Sequence, residues 1–170
     1  PDHPDDAPRM VGVTSDRLLS LVASDPVVSE LLGAARSGVP DTLDVMIPEA
    51  MRPLFVGALV ASTDRTVLVA TSTYREAEAI TESLSSLVGE QQVAYYPAWE
   101  TLPHERLSPR SDTVGRRLDV LRRLAGTSEL PAPRVVVAPV RALLQPQVRG
   151  LGQLRPVRLA VGDEVDPADV

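Results

Sequence analysis

A chain of 170 residues is long enough for one domain with a proper core, or for one domain plus the start of a second. It contains no Cys and no Lys, and all 17 of its cations are Arg, which excludes disulfides, thiolate metal sites, a Schiff-base lysine and a phosphate-loop lysine. The net charge of −6 argues against a general nucleic-acid-binding surface. No apolar run reaches the ~20 residues that span a bilayer, and the opening PDHPDDAPRM is unlike a signal peptide, so a soluble cytoplasmic protein is expected.

Residues 1–13 are polar and read as a flexible tail. A helical period begins at Thr14, with Leu18, Leu19, Leu21 and Val22 on its apolar face and Thr14 or Ser15 as N-cap. Asp25-Pro26 breaks it, and Pro26 suits the first turn of a second helix that runs to about Arg36 and ends at Ser37-Gly38. Residues 41–46 read as a short extended piece. Pro48 opens a third helix through about Ser62, with Met51, Leu54, Phe55, Ala58 and Leu59 on one face.

Residues 66–71, TVLVAT, are a β-branched run of the kind buried on both faces of a sheet. Residues 74–87 form a helix with Ala77, Ile80 and Leu84 inward, and 92–96, QVAYY, a second strand. A Pro-punctuated loop follows. Ser111 or Asp112 then caps a helix striped by Val114, Leu118, Leu121 and Leu124, which Gly126 stops. Residues 134–139, RVVVAP, are a third buried-type strand, 140–144 a short helix, and the PVRLAV of 156–161 a last, half-exposed strand. Strands alternating with helices predict an α/β domain with a mostly parallel sheet.

The loop and helix at 95–124 stand out. They hold the only Trp (Trp99), two of three Tyr, His104 and six Arg of a chain that is 3% aromatic. A metal at His104 would have only Glu100 and Glu105 for company, and no nucleophile elbow surrounds Ser108. Trp99, with Pro97, Leu102 and Pro103, reads as an apolar plug at the sheet's edge or as an anchor for a partner. Arg116-Arg117 and Arg122-Arg123 spread around the polar side of their helix and read as a solvated face braced by Asp119, or as phosphate or acidic-partner contacts. Arg116 could also fold back onto Glu100 or Glu105. Ahead of the first strand, IPEAMRPLFVGAL has one Gly, no Lys and no Ser or Thr, which excludes a working phosphate loop and leaves Arg52 as a solvated helix residue.

Residues 95–124 resemble a segment near the N-terminus of the bacterial transcription-repair-coupling factors. Pro97, Trp99, Glu100, Thr101, Leu102, Pro103, Ser108, Pro109, Asp112, Arg117 and Leu118 match the signature, and Leu121 and Leu124 continue it. The strand and helix VLVATSTYREAEAITESL and the later RVVVAPVRALLQP agree, so the resemblance covers about 15–170. It implies a RecA-like domain related to the UvrB excision-repair helicase. Its nucleotide site would be degenerate at residues 14–150, and an inserted UvrA-docking domain would begin at 151–170. The fifteen residues between Tyr96 and Asp112 leave no room for UvrB's DNA-threading hairpin.

The resemblance implies no catalytic residue, cofactor or metal in this segment. The parent's motor would use ATP and Mg, and its partners would be UvrA, RNA polymerase and DNA. Pro1 in place of Met, and a closing DEVDPADV that reads as a helix cut short, lead to the expectation of a piece of a longer protein. The alternatives are a nucleotide-dependent UvrB-type helicase fragment and a stand-alone α/β interaction protein.

Overall fold

The computed structural model describes residues 14–100 and 110–154. In chain order it runs α1 (Ser15–Ser24), α2 (Pro26–Ser37), α3 (Arg52–Ser62), β1 (Val67–Thr71), α4 (Tyr74–Val88), β2 (Val93–Tyr95), α5 (Ser111–Leu124), β3 (Val135–Pro139) and α6 (Val140–Leu144). Short 3₁₀ turns at Glu49–Met51, Glu90–Gln92 and Leu151–Gln153 lead into α3, lead into β2 and follow α6. The sheet is parallel in the order β1-β3-β2, with Val135 opposite both Val67 and Val93. All five residues of β3 are buried, which is why its sequence VVVAP needs no polar alternation.

Alternation along the strands divides the core into two layers. Val93, Val135 and Val137 face Val60 of α3 and Ala77, Ile80 and Leu84 of α4, with Val67 and Val69 packed at the margin. Ala94, Tyr96, Val136 and Ala138 face the opposite way, toward Val120 of α5 and Ala142 of α6. The inward residues expected for α4 are thus the ones buried. Its start is set by Thr73, whose hydroxyl accepts from the Glu76 N–H at 3.2 Å. Asp25 does the same for α2, accepting from the N–H groups of Val27 and Val28. Gly57 lets α1 approach α3, since a Cβ there would stand 2.8 Å from a methyl of Leu19.

Several expectations are corrected. β1 is not buried on both faces: it pairs only with β3, and Leu68 is 57% exposed because no helix covers that side. Residues 42–48 carry no regular structure and join no sheet, so the extended piece is unpaired chain. On α3 the buried residues are Gly57, Ala58 and Val60, while Met51 is exposed; on α1 only Leu19 is buried, and Leu21 lies outside.

The largest correction concerns α5. Its buried face is Thr113, Arg117, Val120 and Arg123, and Leu124 is exposed. The face is rotated by one residue from the apolar stripe, and Val114, Leu118 and Leu121 sit at its half-buried flank. Neither Ser111 nor Asp112 is the N-cap; Arg110 occupies that position and makes no side-chain cap bond. The helix ends as expected at Gly126, φ +69°, with the Thr127 N–H bonded to the Arg122 carbonyl at 2.9 Å. The strand expected at 156–161 lies outside the described residues.

Candidate functional site

The site grows from the carboxyl end of β2. Tyr96 continues the ladder by donating its N–H to the Val137 carbonyl at 2.8 Å, and the chain then turns across the sheet edge through Pro97, Ala98 and Trp99. A turn there would leave the main chain of Trp99 without a strand partner. Gln145, just past α6, supplies one: its Oε1 accepts from the Trp99 N–H at 2.7 Å and its Nε2 donates to the Trp99 carbonyl at 3.2 Å. A side-chain amide has the donor and acceptor that a paired strand would have offered.

Arg117 fills the space beneath. Its guanidinium lies 4.2 Å from the centroid of the Tyr96 ring and 4.3 Å from that of Trp99, so the cation is sandwiched between two aromatic faces. It is 1% exposed, and its Nη1 donates to the Pro97 carbonyl at 2.5 Å. Nε and Nη2 have no hydrogen-bond partner, so the two rings carry the rest of the charge's stabilisation. Burial pushes the Arg117 pKa down, with Tyr96 opposing, while burial pushes Tyr96 up against the effect of Arg117. Tyr95 is raised too, by burial first and then by Glu78, with Arg116 opposing.

Glu100 closes the turn onto α5. Its carboxylate accepts from the Thr113 hydroxyl, which holds its pKa below the ordinary 4.5; partial burial opposes this, and the N–H groups of Glu100 and Arg110 assist. The start of α5 therefore receives its negative charge from a distant residue. At the other end of α5, Arg123 donates to the carbonyls of Pro131, at 3.0 Å, and Gln91. Arg134 caps the end of α3 by donating to the carbonyls of Val60, at 2.7 Å, and Thr63. The planar fork of Arg, with five donors, serves here to tie backbone ends together.

Of the signature residues, the structure brings Pro97, Trp99 and Arg117 into direct contact and joins Glu100 to α5 through Thr113. Leu118 is half-buried, and Asp112 is exposed with its carboxylate 3.4 Å from Arg110. Thr101, Leu102, Pro103, Ser108 and Pro109 lie outside the described residues, as does His104. The solvated reading holds for Arg116 but fails for Arg117 and Arg123, which are 1% and 6% exposed. Asp119 does brace Arg123, at 4.0 Å. Among the described residues no ion pair joins Arg116 to Glu100. Gln145 and Thr113 were missed, and no motif or period marks either.

Arg52, ahead of β1, is held 2.8 Å from Glu76, whose other oxygen accepts from the N–H and hydroxyl of Ser72. No single helix among the described residues is long and apolar enough to cross a membrane.

No protein-family profile matches the chain. Curated relatives do. Over 150 residues, 86% of this chain, it is 45% identical to transcription-repair-coupling factors of Mycobacterium bovis and Mycobacterium tuberculosis. The chain is homologous to part of the transcription-repair-coupling factors. A more distant transcription-repair-coupling factor, from Bacillus subtilis, is 25% identical over 89% of the chain. The chain spans 12% of the length of the mycobacterial coupling factors and 13% of the Bacillus one. The mycobacterial matches agree with the actinobacterial style of an Arg-only, Ala- and Val-rich sequence.

Proposed function

We propose that this chain serves as a non-catalytic, UvrB-like scaffold module of a transcription-repair-coupling factor. In this reading residues 14–150 are a degenerate RecA-like domain, and 151–170 begin an inserted domain that docks UvrA. The whole protein would move along DNA by ATP hydrolysis, with Mg, displace stalled RNA polymerase in the cytoplasm and recruit excision repair. The single observation that carries the reading is the 45% identity with the mycobacterial coupling factors over most of the chain. The parallel sheet with helices on both faces is consistent with a RecA-like domain.

Two further features support a scaffold over a motor. No Lys exists to reach a nucleotide's phosphates, and Arg52, the cation nearest the expected phosphate loop, already has the Glu76 carboxylate as its anion. The buried arginines donate to main-chain carbonyls, which suits a rigid platform.

The test is ATP turnover and UvrA recruitment measured separately. The isolated chain should hydrolyse no ATP above background. A full-length coupling factor lacking residues 14–170 should keep its DNA-stimulated ATPase while losing UvrA recruitment. Turnover by the isolated chain, or recruitment that survives the deletion, would overturn the proposal.

A further inference from the structure

One Trp, three Tyr and one Phe are all the aromatic residues the chain has, and Tyr74, Tyr95 and Trp99 line a single open cavity of 290 Å³. It lies at the carboxyl edge of the sheet, where β2 leaves for the Trp99 turn and β3 passes into α6. Open parallel sheets characteristically receive ligands at that edge. The cavity is also remote from Arg52, whose surroundings are lined by a different set of residues.

The charges around it are unequally committed. Glu100 accepts from Thr113, and Asp112 is paired with Arg110. Arg116 of α5 and Arg141 of α6 also line the cavity; both are exposed, and neither has a hydrogen bond or ion pair with another described residue. Glu78 is the one carboxylate of the lining left without such a bond among the described residues. Two available guanidinium groups thus face one available carboxylate, beside exposed aromatic surface. Trp, Tyr and Arg are the residue types that dominate binding hot spots.

We propose that this cavity docks an acidic protein segment. A carboxylate side chain would bind between Arg116 and Arg141, and a neighbouring apolar side chain would lie against Tyr74, Tyr95 and Trp99. Guanidinium–carboxylate pairing supplies the direction and the rings supply contact area. A nucleic-acid strand is disfavoured because Glu78, Glu100 and Asp112 surround the same cavity in a chain of net charge −6. This goes beyond the scaffold reading and does not rest on it, since it concerns the chain by itself.

Trp99 is the only tryptophan, so its fluorescence reports on this cavity alone. The 170-residue chain is titrated with the peptide acetyl-Asp-Leu-Asp-Leu-amide and with its uncharged counterpart acetyl-Asn-Leu-Asn-Leu-amide. The expected result is a saturable change in Trp99 emission with the acidic peptide and binding about tenfold weaker, or absent, with the uncharged one. The double variant Arg116→Gln/Arg141→Gln should melt like the parent and bind the acidic peptide about tenfold more weakly. Equal affinity for the two peptides, no saturable response, or unchanged binding by the double variant would each overturn the proposal. So would a response to single-stranded oligodeoxythymidylate that exceeds the response to the acidic peptide. Because UvrA and ATP are absent from the measurement, failure here leaves the scaffold reading to its own test.

Discussion

Arg117 and Trp99 stack cation on ring at 4.3 Å, and this contact fixes the turn that leaves β2. The two residues are 18 positions apart, on a turn and on the face of a helix that the sequence presents as polar. Their contact converts a charge that would ordinarily sit in water into part of the packing. Cation–π attraction of a desolvated guanidinium contributes about 2 kcal/mol, and the Pro97 carbonyl adds a charge-assisted hydrogen bond.

Arg117→Ala should therefore destabilise the chain by about 3 kcal/mol, as loss of the stack, of the bond to Pro97 and of buried volume combine. Arg117→Lys should recover little of this, because an ammonium cannot lie flat between two rings. Arg117→Met should be the mildest of the three, since it fills the slot without burying two unpaired N–H groups. Urea denaturation of the three variants checks the order.

Trp99 is half-buried, with one side of its contacts in the core and another on the cavity, so the plug and anchor readings both apply to it. Trp99→Ala should cost about 3 kcal/mol, at the low end for a large aromatic residue. It should also abolish the peptide response through loss of the site, which Tyr95 fluorescence or calorimetry can follow.

Gln145→Ala should cost about 1–2 kcal/mol by leaving the Trp99 N–H and carbonyl without their partner. The local signature is sharper than the global one. Hydrogen exchange at the Trp99 amide should accelerate well beyond the change seen at Val137 in the middle of β3.

Glu100 has a folded pKa below 4.5, principally because the Thr113 hydroxyl donates to its ionised form. A depressed carboxylate pKa adds stability that is present above the unfolded value and is lost as pH falls through the folded one. Thr113→Val should move the Glu100 pKa up toward 4.5, as read by NMR titration of its side-chain carboxyl carbon. The variant's stability should then fall off less steeply than the parent's between pH 4.5 and lower pH.

The uncovered face of β1 predicts a contrast between neighbouring strands. Leu68→Thr should change stability by no more than about 0.5 kcal/mol, because Leu68 is 57% exposed and Thr keeps β propensity. Val137→Ala, at a fully buried position of β3, should cost about 2 kcal/mol. Thermal melting of the two variants decides between a covered and an open β1 face.

Local pattern alone located α2, α4, α5, β3 and α6 to within a residue or so, because capping residues, β-branched runs and Gly or Pro stops act over a few positions. The Lys-free composition alone excluded phosphate-loop chemistry, and the signature at 95–124 alone pointed to the relatives that the comparisons then found. Strand order was not legible: nothing in TVLVAT marks it as an edge, since that depends on which strand reaches the centre first, and β3 took that place. The burial of Arg117 and Arg123 was hidden for a related reason. Periodicity assigns a helix's inner face by counting apolar residues, whereas tertiary structure brought aromatic rings and unpaired carbonyls to the positions those two arginines occupy. A long cation with planar donors gains more there than in water, so the helix turned one residue away from its leucines. Residue types and their spacing determined the elements and the family resemblance; only the meeting of β2, α5 and α6 in three dimensions decided which charges became core.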